Sequence, residues 1–170
     1  MDESTFFKER VMALSNSQET VIRELTARWV AAIASQQDDE VLSFYSDGIR
    51  SFDVILDQQV RGTEDYRVHL ARCNAFCNGE PVFEMYDLEV TVEGSLAVAH
   101  GMIHCGCDDE NGQLQTGWMR ASFVWQQLDG HWQIVHEHLS NAFEPGSGEL
   151  IMDWKPEHKP VPVPVMERAS

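Results

Sequence analysis

Basic side chains are scarce in this chain. Its 170 residues carry 12 Lys and Arg against 28 Asp and Glu, a formal net charge of −16. Phosphate recognition needs a concentrated basic surface, so this balance predicts no nucleic-acid partner. The same negative field is repelled by anionic membranes. No apolar run approaches the ~20 residues that span a bilayer. The opening Met1-Asp2-Glu3-Ser4-Thr5-Phe6-Phe7-Lys8 lacks a basic segment followed by an apolar one, so no signal peptide is visible. These absences predict a soluble, cytoplasmic protein.

Cysteine is also sparse, and its spacing excludes the usual frameworks. Cys73 and Cys77 are spaced i,i+4, and Cys105 and Cys107 are spaced i,i+2. A zinc knuckle prefers C-x2-C, and a disulfide scaffold is denser in cysteine. Reduced, packed thiols are expected. There is no internal repeat. What is present is 43% hydrophobic sequence, enough for one domain with a real core.

Ser15 with Gln18, or Asn16 with Glu19, has the spacing of a capping box. It predicts a helix to about Gln36, with Val21, Ile22, Leu25, Trp29, Ala32 and Ile33 on its apolar face. A short helix is expected from Asp38 to Ser46, a strand from Ile49 to Leu56 and a return at Val60-Arg61. A third helix, opened by Gly62-Thr63, carries Tyr66, His69, Leu70, Cys73, Phe76 and Cys77 on one stripe. Beyond the break at Asn78-Gly79-Glu80-Pro81, strands are predicted near 82–92, 96–107, 114–128 and 131–141, joined by turns such as Asp129-Gly130. After Phe143, Pro145-Gly146-Ser147-Gly148 looks like a linker, and the Pro-Val alternation of 159–165 favours extended backbone. That segment is either a loose tail or an arm laid on a partner subunit. The expected organisation is an extension (1–16), an α+β domain (17–143) and a Pro-rich tail (144–170).

Three landmarks carry a family resemblance: the helix segment Arg28-Trp29-Val30-Ala31-Ala32-Ile33, the Ser51-Phe52-Asp53 that precedes Gly62-Thr63, and the final hairpin from Phe123-Val124-Trp125 to His136-Glu137-His138-Leu139-Ser140. In order and spacing, residues 18–142 resemble the SnoaL-like and ketosteroid isomerase-like branch of the nuclear transport factor 2-like superfamily. The resemblance implies a cone: a curved antiparallel sheet wrapped around a long N-terminal helix, with a pocket at the open end. It also implies a homodimer through the outer sheet face. Members include isomerases, dehydratases, cyclases and non-catalytic modules, so the fold does not decide the function.

Asp53 is the sharpest candidate. It follows Trp29 by 24 residues and precedes Gly62 by nine, the spacing of the general base in ketosteroid isomerases. A carboxylate at an apolar mouth can shuttle protons, whereas a surface Asp here would begin an Asx turn before Val54. Trp29 stands where those isomerases have a tyrosine, and Ala121 where they have a second carboxyl. Steroid isomerisation by that route is therefore not expected. Strand parity puts His100, Met102 and His104 on one face of 96–107, and the resemblance aims that face into the cone, opposite His69. The resemblance also implies that His136 and His138 face outward with Trp118 and Arg120, leaving Val135, Glu137 and Leu139 inward, with Glu137 free to pair with His100 or His104. No third ligand joins His136 and His138, so no metal is expected. Trp29, Phe123 and Trp125 are taken as walls. The kinase association domains of the superfamily line their pocket with arginines, but Phe123 and Leu139 occupy the resembling positions here.

The resemblance thus implies a cofactor-free acid/base lyase or isomerase acting on a small apolar cyclic or carbonyl ligand, with Asp53, His100 and His104 catalytic. Trp29, His69, Met102, Phe123, Trp125 and Glu137 would line the ligand. The alternative is a non-catalytic ligand-binding or dimeric assembly module.

Overall fold

The structure is a computed structural model that describes the backbone of residues 3–165 and the side chains of residues 15–165. Helix α1 runs Glu3–Ala34 and passes straight through the capping-box sequence at Ser15 to Glu19. Neither Gly nor Pro occurs between residues 3 and 34, so nothing interrupts the helix where a start was expected. Thr20 Oγ1 donates to the Asn16 carbonyl inside the helix instead. Ile22, Trp29, Val30 and Ala32 are buried, while Val21 lies outside the stripe predicted for it.

Helix α2 (Asp38–Ser43) ends earlier than expected, because the chain enters β1 (Tyr45–Phe52) at once. That strand stops just before Asp53. The loop 53–59 leads into β2 (Val60–Arg61) and α3 (Gly62–Ala75), followed by β3 (Asn78–Glu93), β4 (Leu96–Asp108), β5 (Leu114–Leu128) and β6 (His131–Ser140). The six strands form one sheet in the order β2-β1-β6-β5-β4-β3. Every pairing is antiparallel except β1 with β6, which is parallel. The result is the α+β cone expected, with α1 on the concave side against β3 and β4. No helix among the described residues is long and apolar enough to cross a membrane.

Two bulges set which side chains face inward. In β3 the register slips between Tyr86 and Glu89, so Phe83 and Met85 point to the core before it, and Leu88, Val90 and Val92 after it. Gly101 makes the slip possible: a Cβ there would lie 2.6 Å from the Tyr86 carbonyl oxygen. The second bulge lies between β5 and β6, where Val124 pairs with His136 but Trp125 pairs with Ile134. Val135 is the extra residue, so the inward set is Ile134, Glu137 and Leu139, correcting the place predicted for Val135.

β4 itself is regular. Ala97, Ala99 and Ile103 are buried, which turns Val98, His100, Met102 and His104 to the outer face. This reverses the parity expected for the two histidines and Met102. The small and apolar odd-numbered side chains are the ones that fit beneath α1.

The C-terminal segment packs on its own chain and is not a loose tail. Residues Ala142–Phe143 (β7) pair with Leu150–Ile151 (β8), so the Pro145 to Gly148 stretch is the loop of a hairpin. The chain then crosses its own outer sheet face. Trp154 packs edge-on against Trp118 at 4.9 Å, His158 meets Asp87 at 2.7 Å, and the Val161 N–H donates to the Met85 carbonyl at 2.7 Å.

Gly101→Ala tests the bulge. Overpacking of this kind costs about 1–3 kcal/mol, and in a chain of this size each kcal/mol lowers Tm by roughly 2–4 °C. Thermal unfolding of the variant, followed by circular dichroism, is expected to show that drop with the helical signal retained.

Candidate active site in the cone

The open end of the cone holds a cavity of about 240 Å³ between α1, α3, the loop after β1 and the inner faces of β3–β5. Its walls are largely apolar, with Trp29, Leu70, Phe83, Met119 and Leu139 among them. Asp53 and His69 break the apolar surface, as do Gln36, Asp38 and Asn74. Asp53 Oδ2 lies 2.7 Å from His69 Nε2, and both side chains are almost wholly buried. The other oxygen, Oδ1, accepts the N–H groups of Val54 at 2.6 Å and Ile55 at 3.3 Å. The Asx turn and the pocket role, weighed as alternatives for Asp53, therefore coexist on its two oxygens.

The bond to Asp53 is the main reason the His69 pKa rises to about 10, with the Cys73 thiol at 3.5 Å adding to it and burial opposing. That shift favours the charged imidazolium of His69 at neutral pH. The four cysteines, expected as packed thiols, all line this cavity and are all free. Burial above all, reinforced by the Asp53 charge, pushes the Cys105 thiol up to about 11. Burial, with Cys107 alongside, pushes the Cys77 thiol up to about 12. None of the four groups into a metal centre: among the described residues no cluster of three or more His, Cys, Asp or Glu could hold an ion.

Beneath the cavity floor lies Glu137, fully buried. It accepts hydrogen bonds from Ser51 Oγ at 2.6 Å, Tyr66 OH at 2.6 Å and Tyr45 OH at 2.7 Å. Burial raises its pKa, against the pull of those three bonds. The two tyrosine oxygens are 2.9 Å apart, and Tyr45 also accepts the Trp29 indole N–H at 2.9 Å. Trp29 thus lends its ring to the cavity and its one donor to this network.

The predicted residues therefore separate into groups. Trp29, Asp53 and His69 line the cavity, and Glu137 lies just below it. Phe123 and Trp125 are fully buried core; Phe123 packs edge-on against Trp29 at 4.8 Å and Trp125 against Phe44 at 6.5 Å. His100, Met102 and His104 are outside. His104 stacks on Trp118 at 4.6 Å and approaches Glu84 at 3.4 Å, so neither it nor His100 meets Glu137. His136 and His138 face outward as predicted, flanking Phe52. Sequence reasoning missed Tyr45, Ser51 and Tyr66 as the partners of Glu137. The only signal was the α3 stripe, where Tyr66 recurs at helical spacing with His69, the ligand-lining candidate, and with Cys73, expected as packing.

A larger cavity, about 450 Å³, lies between α1 and the crossing C-terminal segment. Among its charged groups Arg23 pairs with Glu19 and Asp87 with His158, and Glu24 and Lys159 line it as well.

The SnoaL-like domain family matches residues 22–144. The chain belongs to the SnoaL-like family. Among solved structures, this SnoaL-like protein is similar to an NTF2-like protein of unknown function from Pseudomonas putida, at 36% identity over 84% of this chain and 99% of the other, with TM-score 0.77. Two more distant structures share the fold. One is an NTF2-like protein with a cystatin-like fold from Novosphingobium aromaticivorans, at 18% identity over 82% and 90% of the two chains, TM-score 0.65. The other is the association domain of C. elegans CaMKII, at 21% identity over 74% and 97%, TM-score 0.61. No curated protein matches the chain.

The raised His69 pKa makes stability depend on pH. The folded value of about 10 exceeds the ordinary 6.5, so the contribution is complete below pH 6.5 and disappears as pH climbs towards 10. Urea unfolding of wild type and His69→Gln at pH 6, 8 and 9.5 is expected to show a stability gap that narrows with rising pH. A gap constant across that range would mean that His69 is uncharged in the fold.

Proposed function

We propose that this SnoaL-like protein is a cofactor-free acid/base catalyst, a lyase or isomerase, acting on a small, largely apolar cyclic or carbonyl compound in the cone. The observation that carries the reading is the Asp53–His69 pair, 2.7 Å apart on the wall of an apolar cavity. Asp53 supplies the base, and His69, with its raised pKa, supplies the proton or the hydrogen bond that holds a ligand oxygen. His69 takes the acid role first considered for His100 and His104. The walls and the pair define the ligand class. The pair has no net charge when His69 is protonated, Asp38 adds a second carboxyl to the lining, and no Arg or Lys lines the cavity, which disfavours an anionic ligand. At about 240 Å³ the cavity falls below the roughly 300–1,000 Å³ of drug-sized sites, which favours one or two rings. A cytoplasmic setting, where four unpaired thiols stay reduced, fits this reading.

A thermal-shift panel of neutral cyclic ketones, enones and cyclic alcohols tests it. At 100 times its Kd, a ligand stabilises by about 2.7 kcal/mol. Asp53→Asn and His69→Gln are expected to lose most of that gain, and any hit should be converted by wild type but not by Asp53→Asn. Hits that stabilise Asp53→Asn as strongly as wild type would sink the assignment.

A second reading, assembly as a homodimer through the outer sheet face, draws on the likeness to an association domain and on exposed outer-face groups such as Arg120 and His138. The C-terminal segment covers the Trp118 end of that face, which leaves the Phe52, His136 and His138 end to a second copy. Light scattering behind size exclusion is expected to give twice the chain mass for wild type and the single-chain mass for His138→Glu. A monomeric wild type removes the reading.

A further inference from the structure

His69 borders two cavities at once. Its Nε2 side meets Asp53 and Cys73 in the cone. Its Nδ1 side turns towards a separate groove of about 320 Å³ on the outside of α3, lined also by Asp57, Asp65 and Arg72. Nδ1 is buried and has no hydrogen-bond partner among the described residues. A buried polar group left unpaired costs about 1–3 kcal/mol, so this one calls for a reason.

The nearest acceptor is Asp57 Oδ2, 3.9 Å away. That carboxylate is half-exposed and also takes Arg72 Nη1 at 2.6 Å. Its position is fixed by an unusual turn. The Asp57 N–H donates to the Ile55 carbonyl at 2.8 Å across Leu56, whose φ is +65°. A leucine in the left-handed region stores strain, and such strain persists where the surroundings hold it. Here the held result is a carboxylate directed at both His69 and Arg72.

We propose that Asp57 is the outer proton port of the Asp53–His69 pair, exchanging the Nδ1 proton of His69 with solvent while a ligand fills the cone. The idea deepens the acid/base reading and rests on it for its purpose. The balance is one proton. In the imidazolium both ring nitrogens carry hydrogen. The Nδ1–H bond breaks, its electron pair stays on nitrogen, and the proton goes to Asp57 Oδ2. The products are a neutral imidazole that still donates from Nε2 to Asp53 and a neutral carboxyl at Asp57, which releases its proton to water. The reverse sequence recharges His69. The distance of 3.9 Å is too long for a hydrogen bond, and a shift of about 1 Å by this exposed side chain closes it.

The groups facing His69 divide cleanly between the two sides. Asp53, Cys73 and the Tyr66 ring, 5.9 Å away, lie towards the cone. Asp57 lies towards the groove, paired with Arg72 at 2.6 Å. A ligand in the cone closes the Nε2 side to water. The Nδ1 side then becomes the route by which the pair regains or loses its proton.

The test needs no ligand. Protein carrying ¹⁵N-histidine is examined at pH 7 by NMR, and the exchange of each His69 ring N–H with water is measured. In wild type the Nδ1 proton is expected to exchange quickly and the Nε2 proton slowly. Asp57→Asn should slow Nδ1 exchange by about a hundredfold, the low end for a positioned acid–base group, and leave Nε2 exchange unchanged. Asp57→Glu, which keeps the carboxyl, should recover most of the rate. Unchanged Nδ1 exchange in Asp57→Asn would overturn the proposal, as would an Asp57→Glu variant as slow as Asp57→Asn. Backbone amide spectra establish that each variant is folded. Failure here leaves the ligand panel with Asp53→Asn standing, and failure of that panel leaves these exchange rates standing.

Discussion

The position of every group in the cone depends on the burial of one carboxyl. Glu137 lies on β6 with no access to water, where an unpaired carboxylate would be untenable and a neutral one still needs partners. Ser51 and Tyr45 on β1 and Tyr66 on α3 supply them, so one side chain joins three elements that are distant in sequence. The parallel β1–β6 pairing places Ser51 directly opposite Glu137, and α3 is held in rotation by the Tyr66 hydroxyl. Once Tyr66 faces inward, His69 one turn later faces the cavity at the height of Asp53. The Tyr45 and Tyr66 hydroxyls both donate to Glu137 and lie 2.9 Å from each other, which closes the ring around the buried carboxyl.

That dependence explains what the sequence disclosed. The cone, its strand limits from β4 onward and its turns follow from local signals: Asp-Gly between apolar runs, alternation along β5, and the apolar period of α1. The inward direction of Glu137 was legible from the family resemblance, with strand parity then turning His136 and His138 outward. The direction of His100 and His104 was misjudged when position in a distant relative outweighed the strand's own pattern of Ala97, Ala99, Gly101 and Ile103. Small residues on one parity are what a strand needs where a helix lies on it, and Gly101 carries the further mark of the β3 bulge opposite. The shift at Val135 had no such mark.

The site was legible in its members but not in its pairings. Asp53 and His69 were each singled out, yet their contact is made by a loop whose course no periodicity reports. Tyr45, Ser51 and Tyr66 carry hydroxyls that look like ordinary core or turn residues until the carboxyl they enclose is located. Trp29 shows the same limit. Its place in the helix was clear, but the use of its indole N–H on Tyr45 rather than on a ligand is a tertiary fact.

The path of the last residues has a consequence for solubility. β3 is a long strand at the open edge of the sheet, and unpaired edges recruit other chains. Val161 satisfies one carbonyl of that edge at the bulge, and it sits between Pro160 and Pro162, which have no N–H to offer. The segment therefore occupies the edge without extending the ladder outward. A strand that arrives at that point finds the Met85 carbonyl already taken and two prolines with no N–H to offer.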